Sequence, residues 1–210
     1  MNNITKKIGI MGGTFNPPHL GHLISAEFVK DKLKLDKIVF VPTGNISYKS
    51  GEELVPKADR FEMTRIAVSN NPDFEISDIE ILTEGYSYTF ETLEKLKKKY
   101  TDAELYFIVG ADSLDYMDKW REPQLIFKRC IVAAVSRVGF SSEKSILKAE
   151  ELEKSFGGKI VFLDMPEVKI SSTEIRKMIK ENRSVRQLVP CGVIEYINKK
   201  NLYKNGDSNR

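Results

Sequence analysis

Gly12-Gly13-Thr14-Phe15-Asn16-Pro17-Pro18-His19-Leu20-Gly21-His22 follows directly on the apolar run Ile8-Gly9-Ile10-Met11 and leads into an amphipathic stretch from about Leu20 to Lys34. A short buried strand, a Gly/Pro-rich turn and a helix form the opening unit of an open parallel α/β sheet. The turn is where such sheets bind ligands. Two glycines let the backbone turn tightly and approach a phosphate closely, and the helix that follows offers unpaired N–H groups and the positive end of its dipole to an anion. His19 and His22, the only histidines in the chain, lie three residues apart and therefore project from one face of the first helical turn. There they can donate hydrogen bonds to phosphate oxygens and stabilise charge developing on a leaving pyrophosphate. The segment lacks the Gly-Lys-Ser/Thr of a Walker A loop and the GxGxxG of a dinucleotide loop. The plain alternative is a strand–helix turn whose histidines only cap and pack.

Strand-like and helix-like segments alternate along the rest of the chain. Lys37–Val41 reads as a second strand closed by Pro42, and Thr43–Lys57 as a mobile active-site loop without a clear period. Ala58–Ser69 is expected helical, Phe74–Leu82 extended, and Ser87–Tyr100 helical with a Lys-rich outer face. Leu105–Val109 is continuously apolar, as befits a central strand, and runs into Gly110-Ala111-Asp112 and a short helix towards Trp120. Ile131–Val135 and Ile160–Leu163 read as two more strands, with a peripheral helix over Ser141–Phe156 between them. Ser172–Lys180 and Pro190–Lys199 are expected as C-terminal helices, and Lys204–Arg210 should fray. The expected fold is an α/β, Rossmann-like open parallel sheet flanked by helices. A single domain would span 1–210, its small helical C-terminal part covering about 171–203.

With 210 residues the chain suits one sizeable α/β domain better than two. The net charge of +3 is spread along the chain, so there is none of the concentrated basic surface that marks a nucleic-acid binder. A site for phosphorylated ligands accounts for a modest cation excess equally well. Cys130 and Cys191 lack metal or redox spacing and read as small buried hydrophobes in a reducing compartment. The run Ile8–Met11 is too short for a signal peptide, and no stretch is long and apolar enough to span a bilayer. A cytoplasmic protein is expected, with no membrane partner; a homo-oligomer is left open.

A second motif is Ile170-Ser171-Ser172-Thr173-Glu174-Ile175-Arg176. Ser171, Ser172 and Thr173 can cap a helix whose N–H groups face an anion, and Arg176, one turn in, can pair with phosphate oxygens in a fork. Alone, the Ser-x-x-Glu spacing equally fits an ordinary capping box. Together the two motifs resemble the HxGH nucleotidyltransferase superfamily, and within it the bacterial nicotinate-nucleotide adenylyltransferases. The resemblance runs along nearly the whole chain. Ser87-Tyr88-Thr89-Phe90-Glu91-Thr92 is similar to that family's Ser-Tyr-Thr-Phe-Asp-Thr helix start, and Gly110-Ala111-Asp112 and Lys119-Trp120 are similar to its Gly-Ala-Asp and Lys-Trp elements. Two departures stand out. Asn16 occupies a place where Asp is commoner, and Ile46-Ser47-Tyr48-Lys49 stands in place of Pro-Pro-His-Lys, which removes a histidine but keeps the lysine.

The resemblance implies transfer of AMP from ATP to nicotinate mononucleotide, with Mg²⁺ carried in on the triphosphate and no protein cage for it. It implies that Gly12, Gly13, Thr14, Phe15, His19 and His22 bind ATP together with Gly110, Asp112, Ser171, Ser172, Thr173 and Arg176. Lys49 and Arg176 would add charge around the phosphates, Lys49 reaching the substrate phosphate as well. Thr89, Tyr116 and Trp120 would receive the nicotinate group. Two alternatives remain open on the residues alone: another HxGH enzyme such as a pantetheine-phosphate adenylyltransferase, or a nucleotide sensor that keeps the fold without catalysis.

Overall fold

The computed structural model describes residues 6–45, 54–137 and 143–204. Its centre is a six-stranded, wholly parallel sheet formed by β1 (Lys6–Gly13), β2 (Lys37–Pro42), β3 (Phe74–Ile76), β4 (Ala103–Gly110), β5 (Ile131–Arg137) and β6 (Ile160–Met165). The strand order is β3-β2-β1-β4-β5-β6. The chain therefore steps outward from β1 in one direction and restarts beside β1 at β4 in the other. That reversal creates the crevice in which open sheets bind ligands.

Alternation along each strand sorts the core into two faces. Ile8, Ile10, Val39, Val41, Leu105 and Phe107 pack on one side against α3 (Thr89–Lys99), α5 (Pro123–Arg129) and α6 (Glu143–Phe156), whose Leu93, Leu96, Ile126, Phe127 and Leu152 belong to the same cluster. Ile38, Phe40 and Ile108 face the other way, towards α1 (Leu20–Leu33) and α2 (Lys57–Val68). Removing a Leu or Ile of this kind from water contributes about 1.5–3 kcal/mol each, so these two layers carry most of the stability. A third cluster of Val55, Met63, Ile175, Val185, Val193 and Ile197 joins α2 to α7 (Ser172–Lys180) and α8 (Cys191–Lys200). The remaining helix, α4 (Leu114–Met117), follows a 3-10 turn at Ala111–Ser113. No helix among the described residues is long and apolar enough to cross a membrane.

The order and kind of the elements match the sequence expectation, with two local differences. Phe74–Leu82 is not extended throughout. β3 stops at Ile76, Ser77 donates its N–H to Phe40, and the chain turns so that Leu82 donates to Asp78. β3 pairs with β2 only, over Ile38–Phe40, so no further strand holds the following residues straight. The helix α5 has seven residues, too few for periodicity to reveal; Pro123 at its first turn is the one local signal. Cys130 is buried as expected, and burial pushes its thiol up to about 12. Cys191 is instead exposed, because it stands at the first position of α8, just past Pro190.

Candidate active site

A cleft of about 1100 Å³ opens at the C-terminal ends of the strands, where β1 and β4 lie side by side. Of the residues singled out above, Gly12, Gly13, Thr14, His22, Thr89, Gly110, Asp112 and Trp120 line it. Residues that are 100 positions apart in sequence thus meet because two parallel strands end at the same level. Its wall combines the β1 turn and His22 with the start of α3 and Trp120.

His19 sits just before α1 with an extended backbone, and His22 lies on the first turn. Their rings stack with centroids 3.7 Å apart, so the shared face implied by their spacing is realised. The main-chain N–H of His19 donates to Nδ1 of His22 at 3.2 Å. Nδ1 of His22 is therefore an acceptor, and the proton of the neutral ring resides on Nε2. Burial, with repulsion from His19 second, lowers the pKa of His22 to about 3; burial alone lowers that of His19 to about 4. Both rings are neutral at physiological pH. They can donate a hydrogen bond but carry no charge in the unliganded protein.

The glycine between them has a steric cause: a Cβ at Gly21 would lie 3.0 Å from Nδ1 of His19, a buried atom with no hydrogen-bond partner among the described residues. Gly13 makes similar room, since its Cβ would come within 2.9 Å of the Phe15 ring. Phe15 is buried with φ of 48° and packs edge-on against His22 at 5.0 Å. It supports the histidine from beneath and does not itself form the cleft wall. One expectation needs correction. The N–H of Leu20 at the start of α1 is not offered to an anion, because it donates to the carbonyl of Leu188 at 2.9 Å.

The second motif reaches the site from the C-terminal third of the chain. Ser171 caps α7 by accepting from the N–H of Glu174. Ser172 donates to the carbonyl of Pro17 at 2.8 Å, and Arg176 donates through Nη1 to the carbonyl of Asn16 at 2.9 Å and through Nη2 towards Thr173 Oγ1 at 3.4 Å. The Asn16–Pro17 peptide bond is cis. The start of α7 thus buttresses the β1 turn. Arg176 is buried and engaged with that turn, and neither it nor Ser171, Ser172 or Thr173 forms the cleft wall in this conformation. His19 also lies behind the wall.

Elsewhere in the wall, half-buried Trp120 packs edge-on against Phe107 at 6.2 Å. The guanidinium of Arg121 lies over the Tyr88 ring at 4.5 Å. Tyr116 is 61% exposed and stands off the wall. Lys49, with Ile46, Ser47 and Tyr48, falls outside the described residues.

Three wall residues are given no role by the sequence: Glu80, which lies in no motif, and Ser87 and Thr92, which flank Thr89 within one. Glu80 accepts from Thr92 Oγ1 at 2.7 Å and from the N–H of Gly44 at 3.3 Å, and burial raises its pKa. Thr92 lies one helical turn from Thr89, a spacing that could have placed it on the same face. Ser87 presents a buried hydroxyl with no hydrogen-bond partner among the described residues.

Comparison with known proteins extends over nearly the whole length. A cytidylyltransferase-like family model matches residues 10–178. A protein of Desulfitobacterium hafniense (strain Y51), named a probable nicotinate-nucleotide adenylyltransferase, is 41% identical over 97% of this chain and 99% of its own. One of the same name from Clostridium acetobutylicum is 42% identical over 94% and 99%. Among solved structures, a Plasmodium falciparum nicotinic acid mononucleotide adenylyltransferase complexed with NaAD superposes with a TM-score of 0.75 at 24% identity, over 94% of this chain and 97% of that one. That likeness establishes a shared fold.

Proposed function

The chain belongs to the cytidylyltransferase-like family and, within it, to the nicotinate-nucleotide adenylyltransferases, and from that membership we propose that it transfers the AMP part of ATP to nicotinate mononucleotide, giving nicotinate adenine dinucleotide and pyrophosphate in NAD biosynthesis. The observation that carries this reading is a single cleft whose wall joins the β1 turn and His22, a neutral donor, to Thr89 and Trp120.

The phosphate of the mononucleotide attacks the α-phosphorus of ATP in line. A new P–O bond forms, the α–β bridging bond breaks, and its electron pair leaves on pyrophosphate. No general base is required, because a phosphate monoester is already ionised near neutrality. Catalysis rests on positioning and on charge stabilisation. His22 donates from Nε2 to the phosphate oxygens on which charge grows. His19 holds it there by stacking and through its main-chain N–H, and shares the α- and β-phosphates with it. Lys49 and Arg176 supply positive charge, the latter from behind the Asn16 turn.

Gly110 and Asp112 contact the ATP ribose, the Ser171–Thr173 turn faces the triphosphate, and Thr89, Tyr116 and Trp120 hold the nicotinate ring. Mg²⁺ enters as part of the nucleotide substrate. No three His, Cys, Asp or Glu side chains come together to bind an ion among the described residues. The protein works in the cytoplasm. The test is pyrophosphate release from ATP with a panel of acceptors: nicotinate mononucleotide should be preferred, and preference for phosphopantetheine, or release with no acceptor in the panel, refutes the reading.

A further inference from the structure

Arg60 is 1% exposed on the first turn of α2. It donates through Nε to the carbonyl of Val55 at 3.3 Å, through Nη1 to that of Thr14 at 2.9 Å, and through Nη2 to that of Gly44 at 2.8 Å. These carbonyls come from the turn after β1, the turn after β2 and the segment entering α2. Burial opposes the guanidinium charge, and the carboxylate of Glu80 offsets this only as a minor influence. An apolar side chain of similar volume would be buried there at lower desolvation cost. What the guanidinium contributes is the simultaneous placement of three main-chain carbonyls.

The placement continues across the site. Gly44 has its carbonyl on Arg60 and its N–H on Glu80 Oε2. It approaches Glu80 so closely that a Cβ would lie 2.3 Å from the Glu80 carbonyl oxygen. Glu80 Oε1 accepts from Thr92. One hydrogen-bonded line therefore runs from Thr14, in the turn after β1, through Arg60, Gly44 and Glu80 to Thr92, one turn from Thr89. Thr14, Glu80 and Thr92 all line the cleft. Because a trans peptide sets its N–H opposite its C=O, fixing the Thr14 and Gly44 carbonyls also fixes the N–H directions of Phe15 and Asn45.

We infer that Arg60 is a positioning residue for the proposed adenylyl transfer, and that through Gly44 and Glu80 it sets the distance between the part of the cleft wall that binds phosphate and the part that receives the mononucleotide. The role rests on the functional reading above. Misplacement of reacting groups by about 1 Å costs on the order of 10²-fold in rate.

The test is steady-state pyrophosphate release by Arg60→Lys and Glu80→Gln, with Tm measured on each. Lysine keeps the charge but cannot span three carbonyls with a planar fork. Glutamine removes the charge, so the bond from the Gly44 N–H becomes a weaker neutral one and the bond to Thr92 has to reverse, the hydroxyl accepting instead of donating. Arg60→Lys should lose about 10- to 100-fold in kcat per folded molecule, and Glu80→Gln several-fold, each with a raised KM for the mononucleotide. A purely structural role would lower Tm and leave these constants unchanged. If Arg60→Lys is soluble and its kcat and both KM values lie within twofold of wild type, the inference is wrong. Should that variant fail to fold, the same result for Glu80→Gln overturns it. A wild type inactive with every acceptor overturns the functional reading and this role together; an active wild type with unaffected variants overturns only the role of Arg60.

Discussion

His22 carries the sharpest residue-level expectation. In the proposed reaction its donor would strengthen as charge moves onto pyrophosphate, so His22→Ala should lower kcat roughly 10²–10³-fold, as loss of one oxyanion donor does. ATP affinity and Tm should change far less; near wild-type turnover would exclude the assignment. The substrate carboxylate supplies a second expectation. Nicotinate presents only acceptors, whereas the amide of nicotinamide adds two donors. Each buried donor left facing another costs about 1–3 kcal/mol. The proposed ring pocket, with the Thr89 hydroxyl and main-chain N–H groups beside Trp120, should therefore favour nicotinate mononucleotide by roughly 10²-fold or more in kcat/KM. Equal use of both mononucleotides, measured side by side, would show that donors do not dominate the pocket.

Between elements, the decisive join is the one α7 makes with the β1 turn. Ser172 and Arg176 bond to carbonyls 155 and 160 residues away, so the β1 turn is held by the last third of the chain. Ser172→Ala removes one such bond, worth about 1 kcal/mol, and should lower Tm by roughly 2–4 °C in a protein of this length. No shift in a thermal melt would mean that water replaces the bond at no cost. Gly21 makes a similar point inside α1. The helix tolerates alanine better than glycine by about 1 kcal/mol, yet Gly21→Ala should impair turnover, because its Cβ would press on the His19 ring. A fully active variant would show that His19 can shift freely.

For the molecule as a whole, the two neutral histidines link stability to pH. Their folded pKa values of about 4 and 3 lie below the ordinary 6.5, so the unfolded chain binds more protons between those limits. Stability is then fully present above about pH 6.5 and falls as pH drops through the range between 6.5 and 3. Tm should decrease from pH 7.5 to pH 5, and His22→Gln should flatten that decrease; an equally steep profile in the variant would assign the pH dependence to other groups. Thiol labelling offers an independent check. One cysteine per native chain, Cys191, should react with a thiol reagent, and Cys130 only after unfolding.

The strand–turn–helix opening, the histidine pair, the central strand at Leu105–Val109 and the capped helix at Ser172 could all be read from the chain. Each is a local pattern, a periodicity or a spacing complete within about ten residues. From these the α/β class, the parallel sheet and the turn that opens the cleft follow. Arg60 could not be read in this way, since on a helix of mixed polarity it looks like any solvent-facing cation; its burial depends on three carbonyls from other segments. The bend after Ile76 and the engagement of Glu80 follow from β3 ending at the sheet edge. Arg176 and the first N–H of α1 are aimed at partners 160 and 168 positions away rather than at open solvent. Local pattern specifies which backbone state a segment adopts, but which buried donor meets which acceptor is decided by the folded chain as a whole, because leaving either unpaired costs more than any local preference supplies.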